Sequence, residues 1–447
     1  MSNVCYSFSK PSRISIHTKV TEHAYYQRCL ALKRRTGNAL IYFMVVLLSA
    51  LSTMAPDQVV GAEFRLQPAI ALSEEYNDNI FLVPEKMEYD YITRIAPSIN
   101  IKYKGPFWDW DVDYVYDYLN YARHHISQDQ THTLNLANHT RIIDEYIFLD
   151  IRDNYARVSL DPTRDYTQES TFVNQTDRNT LTVNPYFIIR PTSQMTVTTG
   201  YSYSNTWYKD PTAIDQSEDI IYTGLQEDLS QRSHMTAGIR HTQNRNRVQD
   251  YTQDDVYLGQ TYEYIENSTL SIIVGNSWFD NKGAGKTSQV YWDVNFKHRY
   301  STMTVTYETG MRFIPDPNLI LRREDRYLAT VARAVERTSL LVSGGLIEYR
   351  NILNKHLENS SYQVNGTMSH AISTKSKIIL DLGAGRLKDY LVYTKADRYI
   401  TGVRFEHLAA ENLTLALDYR YTNVYSSDVY SDNYVNNRFS VEIRMVF

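Results

Sequence analysis

The side chains able to do chemistry in this 447-residue chain are many but dispersed. Asp109, Asp111, Asp113 and Asp117 alternate with Trp108, Trp110, Val112, Tyr114, Tyr116 and Tyr118. A carboxylate at every second residue would form an acidic strip, as in cation-selective pores; a solvated inward face balanced by neighbouring cations is slightly favoured by the mixed signs. Those cations are at hand, because Arg240, Lys297, Arg312, Arg404, Arg420 and Arg444 occupy the same kind of position in other alternating segments, with Asp293 among them. Together these eleven residues are the candidates for lining a pore. Inward Tyr291 offers a ring for stacking on sugars, although one isolated tyrosine is weak evidence.

The remaining motifs favour structural readings. Tyr76-Asn77-Asp78-Asn79 supplies oxygens that Ca²⁺ could take, but Asn and Asp also bond their own backbone in turns, and the turn is preferred. His124-His125 falls in a connection and is read as a free pair. Gly283-Ala284-Gly285-Lys286-Thr287 lacks the spacing and following helix of a phosphate loop and is read as a hairpin connection. No metalloprotease helix motif or nucleophile elbow is present. The chain is therefore read as non-enzymatic, with no cofactor and no metal.

The elements that carry these residues alternate with period 2. In a strand, successive side chains point to opposite faces. Besides Trp108 to Tyr118, the rule holds for Val290, Trp292, Val294, Phe296 and His298, and for Met303, Val305, Tyr307, Met311 and Phe313. It holds again for Leu413 to Tyr421 and for Phe439, Val441, Ile443, Met445 and Phe447. The segments often run to 10–14 residues, longer than the usual soluble strand and long enough for a tilted membrane strand. Short connections at Lys104-Gly105-Pro106, Asp144-Glu145, Pro191-Thr192-Ser193, Ser301-Thr302, Glu336-Arg337, Ser373-Thr374 and Glu411-Asn412 alternate with long polar ones at Asp161–Asp177, Lys209–Asp219, Pro315–Asp325 and Ser426–Asn436. Short periplasmic turns and long external loops are the rule for transmembrane barrels. The expectation is an all-β, antiparallel, up-and-down barrel of about 20 strands (18–22), with both termini periplasmic. Its first strand is placed near Phe64–Ser73 and its last at Arg438–Phe447. No 20-to-50-residue repeat stands out beyond the strand rhythm.

The N-terminal region reads differently. Lys33, Arg34 and Arg35 precede an apolar run from Ala39 to Ala55, and Val60-Gly61-Ala62 ends in small residues. This is the layout of an export signal, with cleavage expected after Ala62; the run of about 17 residues is also at the short limit for a spanning anchor. Residues 1–62 are thus an extension plus leader, and 63–447 the barrel domain. Cleavage would remove both cysteines, Cys5 and Cys29, with seven basic and two acidic residues, leaving 39 Lys plus Arg against 49 Asp plus Glu and a formal charge of −10. Such a chain has neither a thiolate site nor the basic balance that nucleic acid requires. Tyrosine is abundant, 38 against 14 Phe, which suits rings seated at membrane rims.

Two segments carry a resemblance. Phe64, Leu66, Ile70 and Leu72 lead into Ser73-Glu74-Glu75-Tyr76-Asn77-Asp78-Asn79-Ile80-Phe81-Leu82, and Ile95-Ala96-Pro97-Ser98-Ile99 follows. This opening resembles porin-type outer-membrane β-barrels, in particular those associated with exosortase and PEP-CTERM protein sorting, which are themselves similar to barrels found with exopolysaccharide production. The strand ending at Phe447 resembles the signal read by outer-membrane assembly machinery. The resemblance implies an outer-membrane location reached by export and lipid and assembly machinery as partners. It also implies polysaccharide or secretion-complex proteins as further partners. It supplies no catalytic residues. The leading functional expectation is a channel or export conduit, with a non-conducting structural barrel second and an enzyme last.

Overall fold

The computed structural model describes residues 62–447 apart from 124–128, 162–168, 171, 249, 283–284, 315–320, 427–428 and 430–432. Residues 1–61, all but the last residue of the expected leader, and His124-His125 lie outside the described residues. From Glu63 onward the chain forms twenty strands: β1 (Glu63–Asn77), β2 (Asp90–Lys104), β3 (Trp108–Tyr121), β4 (Asp129–Ile143), β5 (Ile147–Ser159), β6 (Gln175–Ile189), β7 (Met195–Tyr208), β8 (Gln216–Ser230), β9 (Ser233–Asn246) and β10 (Tyr251–Ile265). The second half follows as β11 (Ser268–Asn281), β12 (Gly285–Arg299), β13 (Met303–Ile314), β14 (Arg322–Val335), β15 (Thr338–Asn351), β16 (Leu357–Ala371), β17 (Ser376–Asp389), β18 (Thr394–Ala410), β19 (Leu413–Tyr425) and β20 (Tyr434–Val446).

Each strand pairs antiparallel with its sequence neighbours, and β1 pairs with β20 from Ala69↔Val446 to Asn77↔Arg438, so the sheet closes into a barrel. The Phe447 N–H extends the closure by donating to the Pro68 carbonyl at 2.9 Å. Closure is what permits a sheet to lie in hydrocarbon, where each unpaired backbone group would cost several kcal/mol. Connections alternate, as the spacing predicts. Those at one end are tight, such as residues 231–232, 266–267 and 336–337; those at the other reach residues 78–89 and 160–174. Some tight turns use non-glycine residues in the left-handed region, with φ of +68° at Glu145, +61° at Asn267 and +48° at Glu336.

Strand ends differ from the sequence expectation in one consistent way. β1 continues to Asn77, and β6, β8, β14 and β20 begin before the expected ends of the long connections, at Gln175, Gln216, Arg322 and Tyr434. Polar residues such as Gln175, Gln216 and Arg322 look like loop in a sequence. They are strand because the wall continues beyond its apolar belt, where polar residues still complete the ladder. At Tyr76–Asn79 the turn chemistry is realised: the Asn77 side chain accepts from the Asn79 N–H at 3.0 Å, and the Asn79 side chain bonds Val83 and the Val435 carbonyl. Gly285–Thr287 opens β12, with no helix behind it.

The outer face carries the apolar belt. Ile221, Ile239, Leu258, Val274, Val290 and Leu382 are all exposed in the isolated chain, an apolar extent that marks a lipid or partner surface. Aromatic residues sit towards both ends. Phe107, Trp108, Tyr146 and Tyr300 are exposed near the tight turns, and Trp207 and Trp278 near the long connections. Tyr76, Tyr89 and Tyr91 cluster at the long-connection end with ring centroids 5.4–6.2 Å apart, and Arg123 stacks over Tyr89 at 4.1 Å.

Candidate functional site: the barrel interior

The inner face inherits the other parity of every strand, and three cavities open on it. The first, of about 470 Å³, is lined by residues including Glu75, Arg94, Asp117, Arg404, Arg420 and Arg438. The second, of about 480 Å³, is lined by residues including Arg240, Tyr251, Tyr257, Tyr291, Asp293 and Arg312. The third, of about 840 Å³, includes Lys102, Asp109, Asp111 and Arg152. The eleven sequence candidates are therefore distributed, not gathered into one ring. Asp113 lies between Asp111 and Asp117 on the same face, bonded by Asn100. Lys297 stands opposite Thr269 and Thr306, and Arg444 opposite Ala71 and Thr414, at positions of the same inner register.

Ion pairs tie the wall formed by β17–β20 and β1–β4. Arg94 meets Asp117 at 2.6 Å, Lys102 meets Asp111 at 3.1 Å and Arg141 meets Asp109 at 2.6 Å. Arg438 holds Glu75 at 2.7 Å, and Arg404 joins Glu406 at 2.7 Å and Glu442 at 3.1 Å. Of the two readings of the aspartate row, the balanced face is the one found: Asp109, Asp111 and Asp117 have cations from neighbouring strands, though which cation meets which carboxylate is not legible from alternation within one strand.

The opposite wall, β6–β12, is built from tyrosine and glycine. Two adjacent rows of cross-strand register carry it. One reads Phe148–Tyr186–Gly200–Tyr222–Arg240–Asp255, and the other Gly224–Gly238–Tyr257–Gly275–Tyr291. A Cβ built at Gly200, Gly238 or Gly275 would lie 2.5–2.7 Å from ring atoms of Tyr222, Tyr257 or Tyr291. Each ring thus lies across the lumenal side of a glycine on the preceding strand, where any larger residue would displace it. Phe148 and Tyr186 stack at 5.2 Å, and the Tyr222 hydroxyl donates to Asn184 at 3.1 Å. Among the described residues Arg240, which faces this cavity, forms no ion pair, whereas Asp293 pairs with Arg326 at 3.7 Å and Arg312 with Glu324 at 2.6 Å. Tyr291 and similar inward rings are legible in the sequence, but not the rows they form. The available signal was the recurrence of Tyr186, Tyr222, Tyr257 and Tyr291 at intervals of 36, 35 and 34 residues, the period of one hairpin.

Two segments fold into the interior from the long-connection end. Between β5 and β6, Glu169 reaches the far wall: its fully buried carboxylate contacts Arg398 of β18 and accepts from Thr422 of β19 at 3.5 Å. Phe172 packs against Phe81 and Tyr121, at 5.7 and 6.5 Å between centroids. The second segment arises where β12 and β13 part. They pair only from Asp293↔Gly310 to Arg299↔Thr304, while β13 stays paired to β14 as far as Ile314. The freed end of β13 turns inward, so Phe313 meets Phe279 at 4.6 Å and Met311 is buried, although strict alternation would place both outside. Gln289 clamps the fold by donating to the Ile352 carbonyl at 2.7 Å and accepting from Arg323 at 3.0 Å. Among the described residues no group of three or more His, Cys, Asp or Glu could hold a metal ion.

No protein-family model matches the chain, and no curated protein matches it. Solved structures do. The copper transporter OprC aligns with a TM-score of 0.56 at 9% identity, over 87% of this chain and 81% of that one. A mutant of the ferric enterobactin receptor PfeA from Pseudomonas aeruginosa aligns with a TM-score of 0.51 at 8% identity, over 86% and 80%. At such identities the likeness is one of fold, and the chain has the closed antiparallel β-barrel architecture of these outer-membrane proteins.

Proposed function

We propose that this chain is an outer-membrane porin-like barrel that acts as a channel or export conduit, linked to exopolysaccharide production or to the exosortase/PEP-CTERM system. The observation that carries the conduit is the inner wall. Twenty strands enclose more space than side chains alone fill, and the lumenal register is polar, charged and cavity-bearing where a filled barrel core would be apolar. The polysaccharide and sorting link rests on the resemblance of the segment from Phe64 to Leu82. The tight-turn end, with both termini, is assigned to the periplasm by the barrel rule, and the eleven charged residues line the path. The leader ending at Ala62 supplies the export route.

Purified, refolded barrel in planar bilayers tests the conduit. Stepwise KCl conductance is expected. A barrel that is folded by heat-modifiability yet stays silent, even with its β5–β6 connection shortened, would sink it. The two in-folded segments favour a second reading, a non-conducting structural barrel of a secretion complex; silence together with recovery of secretion proteins in pull-downs is its signature.

A further inference from the structure

We propose that the tyrosine rings along the β6–β12 wall form a binding track for a linear saccharide chain; this deepens the conduit reading and rests on it. Three observations converge. First, the rings are not loose. Tyr222, Tyr257 and Tyr291 each occupy the space above a glycine, and Gly200 lies between Tyr186 and Tyr222 in register. A ring pinned against backbone loses little further conformational freedom when a ligand lands on it. Second, the rings recur on alternate strands, β6, β8, β10 and β12, in two neighbouring rows. A run of similar sites suits a polymer better than a single compact solute. Third, hydrogen-bonding groups are set among the rings. Asn184, Arg240 and Asp255 are at hand, and Glu218, Asp293 and Arg312 share the cavity with Tyr257 and Tyr291.

That combination matches the chemistry of a pyranose. Its axial C–H bonds form an apolar, weakly positive face that lies on the negative face of an aromatic ring. Its equatorial hydroxyls need donors and acceptors around the rim, which carboxylates, amides and the Arg240 guanidinium, without an ion-pair partner among the described residues, provide. A purely apolar ligand would leave these polar groups unsatisfied, and a small ion would have no use for the rings. On the opposite wall Asp109, Asp111, Asp117, Glu75, Glu406 and Glu442 are paired to arginines or lysines, and no ring lies over its glycines Gly383, Gly385 and Gly402.

The test uses the full barrel and maltohexaose as probe. Binding is read in detergent by calorimetry and by saturation transfer from aromatic protons to sugar C–H protons, and in bilayers by block of the KCl current. Saturable binding is expected. Its dissociation constant should rise roughly tenfold or more in the double variant Tyr257→Ala/Tyr291→Ala, in which two stacking contacts are lost, and hold within about threefold in Tyr257→Phe/Tyr291→Phe, which keeps both rings. Absence of saturable binding to the wild-type barrel, or equal affinity in the double alanine variant, overturns the track. So does binding confined to a hexauronate and abolished by Arg240→Ala alone, because attraction to one cation would then explain it. Should the alanine variant not fold, saturation transfer on the wild type decides: transfer to sugar C–H protons supports the track and its absence overturns it. Absence of KCl conductance bears on the conduit alone, since calorimetry and saturation transfer read the track without it.

Discussion

The two walls of the interior solve the same problem with different chemistry. The β17–β4 wall places charges inside and neutralises them across strands, with Arg94–Asp117, Arg438–Glu75 and the Arg404–Glu406–Glu442 group. The β6–β12 wall has ion pairs on the outer face, at Arg245–Asp219, His241–Asp254 and Lys286–Asp280, with Asp293 paired to Arg326 inside, and turns rings and glycines inward. Exposed pairs contribute little stability each, so the first wall gains a fixed, wet and nearly neutral surface more than it gains strength. The second gains shape. A glycine under each tyrosine lets the ring lie close to the sheet, which keeps the lumen wide while presenting apolar area to it. The lumen is thus bounded by paired charges on one side and by rings on the other.

Breaking the charged wall at its most buried point should have the largest effect. Glu169 is fully buried against Arg398, and this contact ties it to the far wall. Arg398→Ala strands that carboxylate, at a cost of about 2–3 kcal/mol, somewhat below the range for fully buried pairs because Arg398 is partly exposed. The segment should let go of the far wall. Limited proteolysis between β5 and β6 should become faster and the unit conductance should increase. Unchanged proteolysis and conductance would mean that Phe172, not the ion contact, secures the segment.

The tyrosine wall can be graded by adding one methyl group at a time. At Gly275 a Cβ would sit 2.5 Å from the Tyr291 ring and 2.6 Å from the Val256 carbonyl, and backbone cannot step aside. Gly275→Ala should therefore cost about 1–3 kcal/mol as overpacking. Gly238→Ala should cost less, since the three nearest atoms all belong to the Tyr257 side chain, which can be displaced where a backbone carbonyl cannot. Gly366→Ala meets nothing within 4 Å and should stay within about 0.5 kcal/mol of the parent. Urea midpoints of the refolded barrels give the order directly, and a flat series would remove the steric role assigned to these glycines.

Much of this molecule is legible in sequence because alternation is a local property. Asp109 to Tyr118 fixes its own two faces without reference to any partner, and tight turns such as Glu336-Arg337 mark the hairpins. What alternation cannot show is register. The pairing of Asp117 with Arg94, or of Tyr257 with Gly238, depends on which residue faces which across a strand pair. The inward turn of Met311 and Phe313 depends on β13 leaving β12, which no periodicity records. The long connections were overestimated for a related reason: Gln175, Gln216 and Arg322 complete ladders above the apolar belt, where hydropathy no longer distinguishes strand from loop. Glu169 carried no signal at all, because its partners, Arg398 and Thr422, are more than 200 residues away.

The smallest expected effect lies outside the barrel wall, in the connection between β7 and β8, and checks that the two walls can be perturbed without disturbing the rim. The Asp210 carboxylate accepts from the Thr212 hydroxyl at 2.6 Å and from the Thr212 N–H at 2.8 Å, and these bonds hold its pKa below the ordinary aspartate value. A depressed value means that the folded turn favours the ionised form. The contribution is fully present above the unfolded value, near pH 4, and is lost as the pH falls through the depressed folded value. Amide exchange at Thr212, corrected for intrinsic rates, should therefore show constant protection from pH 7 to about 4.5 and a decline below that. Asp210→Asn should abolish the decline and leave the conductance unchanged, whereas a decline that persists in the variant would assign the acid sensitivity to the wall carboxylates instead.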